Sequence, residues 1–125
     1  MDLTLQKPGD HLYIQAVSEQ GIRIVNEWHQ GPLILSTSRL ITDWAVTSIE
    51  NMDEALLQPV FDLDPDIVLI GTGERQHFIS AELMMAFYRR GIGAEVMATH
   101  AACRTFNVLA LEARRVVAAL MPTEA

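Results

Sequence analysis

Chemistry in this chain would start where the apolar run Ile67-Val68-Leu69-Ile70 ends at Gly71-Thr72-Gly73. Three of the four run residues are β-branched, which predicts a strand buried on both faces, as in a parallel sheet. Open α/β sheets place ligands beyond the carboxyl ends of such strands, and the glycines allow a tight turn there. Successive backbone N–H groups in that turn could hold an anion or a carboxylate. A dinucleotide fingerprint would need a third glycine three residues after the second, and Gln76 stands there. No Lys-Ser/Thr pair follows, so neither a nicotinamide cofactor nor a phosphate loop is expected. A plain tight turn is the competing reading.

A second group sits at the start of the last expected helix. Thr99 or His100 can cap it, with Cys103, Arg104, Thr105 and Asn107 in its first two turns. Free N–H groups and the positive dipole end face the same region. If the sheet order brings this end beside the Gly71 turn, the two form one polar pocket. There Arg104 and backbone N–H groups would hold an anionic group, while Thr105, Asn107 and Glu112 orient the rest. The structural alternative has Thr105 bonding the preceding turn and Glu112 pairing with Arg115.

Cys103 near a helix amino-terminus, with His100 close in sequence, suggests an activated thiol, but no acidic orienter is placed by spacing. Packing is the common fate of a single cysteine. His11, His29, His77 and His100 are dispersed without metal-ligand spacing, so no metal is expected. No Gly-x-Ser-x-Gly elbow occurs.

These groups need a scaffold, and 125 residues that are 50% hydrophobic suffice for one domain over 1–125. One cysteine excludes an internal disulfide framework. A net charge of −7, from 16 acidic and 9 basic residues, disfavours nucleic acid and anionic membrane surfaces. No apolar run approaches membrane-spanning length, so no membrane insertion is expected. The opening Met1-Asp2-Leu3-Thr4-Leu5-Gln6-Lys7 lacks the features of a secretory signal, so the expectation is a cytoplasmic protein.

Along the chain, Leu12, Ile14 and Ala16 alternate, Glu19-Gln20-Gly21 turns, and Ile22 and Ile24 follow, predicting a β-hairpin. Leu33-Ile34-Leu35 and Trp44-Ala45-Val46 read as further strands. From Asp43 to Asp66 there are seven acidic residues and no basic one. Within that stretch Asn51 and Glu54 suggest a capped helix running through Leu57 and stopped near Pro59. The stretch is either a solvated surface or a docking face for a basic partner. Ser80 caps a helix through Arg89, with Met84, Met85, Phe87 and Tyr88 read as core in preference to a soft binding surface. Ala94-Glu95-Val96-Met97 forms a strand. A final helix is expected from about Ala101 to Leu120, with the stripe Ala102, Phe106, Leu109, Ala113, Val116, Val117 and Leu120. Strands first and alternating elements later predict an α/β sandwich with an extra β layer.

Ile70-Gly71-Thr72-Gly73 and the later run Thr99-x-x-Ala102-x-Arg104-Thr105-x-Asn107-Val108-Leu109-x-x-Glu112-x-Arg114-x-Val116 carry a resemblance. They resemble an uncharacterised family of bacteria, archaea and mitochondria. It includes the mitochondrial NADH dehydrogenase (complex I) assembly factor 3 and the adipogenesis-associated domain protein. The resemblance implies a three-layer α/β sandwich: a central mixed five-stranded sheet flanked by helices, plus a small β layer. It implies no established reaction, and no cofactor is expected. It carries a pocket-lining role onto Gly71, Thr72, Gly73, Thr99, Arg104, Thr105, Asn107 and Glu112.

The expected function is therefore a non-enzymatic interaction or assembly factor with a protein partner. The acidic stretch and the sheet edge are its contact surfaces, and self-association is open. The alternative is a binder of, or enzyme acting on, a small anionic ligand in the pocket between the Gly71 turn and the last helix.

Overall fold

The computed structural model describes residues 11–112 and 114–123. Ala113 of the expected stripe and the opening Met1–Lys7 lie outside them. Two sheets are present. A small antiparallel one has β1 (Ala16–Ser18), β2 (Gly21–Ile24) and β3 (Glu27–His29) in the order β1-β2-β3. The expected hairpin is its first half, with Gly21 at φ +119° closing the turn. The second turn places Val25 and Asn26 at φ 50° and 63°, the left-handed pair of a tight hairpin. Sequence reading misses β3, because a valine at such a position carries no turn signal.

The main sheet contains β4 (Leu33–Ser36), β5 (Leu40–Ile41), β6 (Ile67–Gly71), β7 (Gly93–Met97) and β8 (Val116–Leu120). Its order is β5-β4-β8-β6-β7. β6 runs parallel to both β7 and β8, whereas β4 is antiparallel to β8 and β5. The five strands and mixed directions are those implied by the resemblance.

The helices are α1 (Gln58–Phe61), α2 (Ala81–Arg89) and α3 (Thr99–Ala110). α2 starts as expected, with Ser80 Oγ accepting from the Leu83 N–H at 3.2 Å. α1 departs from expectation. Pro59 lies in its first turn, where a missing N–H costs nothing, rather than stopping it. Asp53, not Asn51, caps the preceding turn, accepting from Leu56 N–H at 2.9 Å. Trp44 is not in a strand; it is buried in a loop and donates its indole N–H to the Leu56 carbonyl at 2.6 Å.

The largest correction concerns the last helix. α3 ends at Ala110, and residues 116–120 form β8, paired on both sides by β4 and β6. Every residue of Val116-Val117-Ala118-Ala119-Leu120 is buried. A run apolar at every position satisfies helical spacing and two-sided strand burial equally, so periodicity does not separate them. The open slot between β4 and β6 decides the matter.

Alternation across the sheet then makes two cores. On one face, Leu33, Leu35, Leu69, Val116, Ala118 and Leu120 pack with Ala102, Cys103 and Phe106 of α3 and with Ile22 and Ile24 of the small sheet. On the other, Ile34, Val68, Ile70, Val117 and Ala119 meet Leu83 and Phe87 of α2, Val60 of α1 and Trp44, Met52 and Leu57. This is the expected three-layer α/β sandwich with its small β layer. Asn107 joins two of its parts. Its Nδ2 donates to Ile14 O at 2.8 Å and its Oδ1 accepts from Ile14 N–H at 2.9 Å, an imitation of one rung of a strand ladder.

Candidate functional site

The glycine corner and the start of α3 do meet, at the carboxyl ends of β6, β7 and β8. Thr99, the first residue of α3, is fully buried there. Its Oγ1 accepts from Gly73 N–H at 2.9 Å and donates to Met121 O at 2.7 Å. Its own N–H donates to Gly73 O at 2.8 Å. Gly71 O accepts from Met121 N–H at 2.9 Å, and Thr72 N–H donates to Met97 O at 2.9 Å. The Thr72 hydroxyl donates to Arg75 O at 2.7 Å and accepts from His77 N–H at 3.1 Å.

The N–H groups of Thr72 and Gly73, which an anion would need, are thus used within the fold. The glycines answer to close approach and backbone shape. A Cβ on Gly71 would stand 2.9 Å from Thr99 Oγ1 and Leu120 Cδ2, and Gly73 has φ +104°.

The remaining candidates separate along α3. Thr105 bonds Ala101 O at 2.8 Å, which is the structural alternative for it. Asn107 is occupied by Ile14. Glu112 is exposed and lies beyond the carboxyl end of α3, whose 12 residues alone span roughly 18 Å at 1.5 Å per residue. Arg115 turns away from it to Asp66, at 3.2 Å, and Asp64, at 3.7 Å. Arg104 is exposed and has no ion pair among the described residues. It lines a groove of about 250 Å³ with His100, Cys103, Asn107 and the segment Ile14–Val17. Sequence reading does not find that segment as a wall, since the contact joins residues 93 apart. A second hollow, of about 320 Å³, is lined by Glu19, Glu74, His100 and Thr123.

Cys103 is 2% exposed, and burial pushes its thiol up to about 12 against the opposing pull of Arg104. The helix amino-terminus does not rescue a thiolate that has lost its water. No group of three or more metal-ligating side chains occurs among the described residues. Within the acidic stretch, Glu54 pairs with Arg90 at 2.8 Å and Arg89 at 3.6 Å, and Asp64 and Asp66 share Arg115. Three of its seven carboxylates are therefore ion-paired within the fold, and Asp53 and Asp62 accept hydrogen bonds from Leu56 N–H and Gln58 Nε2.

Residues 14–121 match the family model described as "Protein of unknown function (DUF498/DUF598)". The chain is 34% identical over 113 residues to mouse NADH dehydrogenase (ubiquinone) 1 alpha subcomplex assembly factor 3, covering 89% of this chain and 60% of that protein. It thus spans about three fifths of the length of that curated relative. A crystal structure from Bordetella parapertussis superposes with TM-score 0.86 at 31% identity, over 93% of this chain and 99% of that one. An Mth938-like domain from Bordetella pertussis gives 0.81 at 26% identity, over 99% and 94%. No helix among the described residues is long and apolar enough to cross a membrane.

The corner and the thiol each make a prediction. Gly71→Ala forces Thr99 and Leu120 apart and lowers stability by about 1–3 kcal/mol, read as a lower urea midpoint at unchanged slope. Cys103 in the folded protein resists alkylation at pH 8 and reacts fully once unfolded. Because its folded pKa lies above the unfolded value of 9.0, its contribution to stability is complete below pH 9 and is lost as pH rises toward 12. Cys103→Ser removes that alkaline component from the stability–pH profile.

Proposed function

This chain belongs to the family described as protein of unknown function (DUF498/DUF598), and from that membership we propose that it is a non-enzymatic, protein-binding assembly factor of the cytoplasm. The relative named as a subcomplex assembly factor is similar over 89% of the chain, and the family match over residues 14–121 takes in both sheets and all three helices of this fold. One observation carries the reading. The backbone N–H groups of Thr72 and Gly73, at the corner where open α/β sheets place ligands, are taken by the fold's own bonds, with Thr99 inserted between Gly73 and Met121. What remains outward is surface: the acidic carboxylates without internal partners, the sheet edge β7 and an exposed apolar face on α2.

Affinity capture from native lysate at physiological salt, followed by sizing, tests this. The expected catch is a set of subunits from one larger complex, held in a subassembly smaller than the finished complex. Recovery of the chain alone, or of unrelated proteins, overturns it.

The Arg104 groove favours a second reading, a small anionic ligand held against His100 and the β1 segment. A carboxylate or phosphate at a hundred times its Kd would stabilise the protein by about 2.7 kcal/mol, visible as a thermal shift. Arg104→Ala is expected to abolish that shift. Absence of any shift across carboxylates, phosphates and nucleotides removes this reading.

A further inference from the structure

We propose that the outward face of α2 is the contact surface of a homodimer, in which two copies of α2 pack near-antiparallel across a two-fold axis. α2 is apolar on two faces. Its inner stripe, Leu83, Ala86 and Phe87, is buried beneath the helix. Its outer stripe, Ala81, Met84, Met85 and Tyr88, is exposed and follows the i, i+3, i+4, i+7 spacing by which one helix packs on another. Met84, Met85 and Tyr88 are 41%, 47% and 77% exposed, and Phe78, just before the cap, is 89% exposed. This corrects the expectation that the methionines and Tyr88 belong to the core; of that group only Phe87 does. A surface helix needs one apolar stripe to hold its place, so the second calls for a partner.

The charges beside the stripe select a second copy. Glu82 and Arg89 are seven residues apart, two turns, and lie on the same flank. An antiparallel two-fold brings like flanks together with their order reversed, so Glu82 of each copy meets Arg89 of the other. Arg89 is available for this. Its side chain is 56% exposed and reaches Glu54 only at 3.6 Å, while Arg90 holds the same carboxylate at 2.8 Å. The incoming guanidinium would enter a hollow of about 170 Å³ lined by Asp53, Glu54, Ser80 and Glu82. Those carboxylates repel an anionic lipid surface. Four large exposed side chains offer on the order of 400 Å² per copy. That is about half of a standard interface, so the dimer is weak and reversible.

This inference stands on surface geometry and holds whichever way the capture experiment falls. Sedimentation equilibrium on the full chain, from about 1 μM to about 1 mM, is the test. A monomer–dimer equilibrium is expected, abolished by Met85→Glu in a protein whose circular dichroism is unchanged. Glu82→Arg and Arg89→Glu each weaken the dimer about tenfold, and the double swap recovers part of that loss, because the Glu82–Arg89 pairs are re-formed in reverse while Asp53 and Glu54 still oppose the incoming carboxylate. A chain that stays monomeric at about 1 mM overturns the proposal, including one that instead co-sediments with vesicles. A dimer indifferent to Met85→Glu, or a double swap no tighter than either single swap, does the same.

Discussion

The structure depends on one buried threonine hydroxyl. Thr99 Oγ1 takes the Gly73 N–H and gives its own proton to Met121 O, while its backbone N–H closes on Gly73 O. Polar groups that would otherwise be stranded in the interior satisfy one another, which is the condition for burying them. The same bonds set the end of β6, the start of α3 and the exit of β8 against each other. They require Gly71, because nothing larger than hydrogen fits between Thr99 and Leu120.

That junction orients everything around it. α3 lies across one face of the sheet and brings Phe106 and Cys103 into the core with the small sheet. Asn107, two turns on, reaches Ile14 and holds the segment leading into β1 against the helix. The groove with Arg104 is what is left between them. On the opposite face α1, α2 and the loop through Trp44 close the second core, fastened by Glu54 to Arg89 and Arg90. These exposed ion pairs orient the loop more than they stabilise it. The result occupies the backbone N–H groups of Thr72 and Gly73 where the fold class usually presents them to a ligand.

Much of this is legible residue by residue. β6 ends at a corner because β-branched residues favour a doubly buried strand, and glycine alone tolerates the crowding at position 71 and the positive φ at position 73. Ser80 caps α2 because its hydroxyl reaches a backbone N–H that the helix cannot satisfy. The meeting of the Gly71 turn with Thr99 is legible too, yet its meaning is not. Sequence can nominate N–H groups near an anion, but only coordinates say that a hydroxyl already holds them. Likewise Cys103 carries the local signals of a reactive thiol, and burial, a property of the whole fold, cancels them.

What the sequence alone determined is therefore local: the Ser80 cap, the turns at Gly21 and Gly73, and the buried strand β6. Tertiary structure decided everything that depends on which partners are near. Val116–Leu120 became a strand because a slot stood open between β4 and β6, and Met84, Met85 and Tyr88 fell on the outside because Leu83 and Phe87 had taken the inside. Backbone preference spans less than about 1 kcal/mol per residue for such side chains, whereas burying each is worth about 1.5–3 kcal/mol, so packing outvotes propensity wherever the two compete.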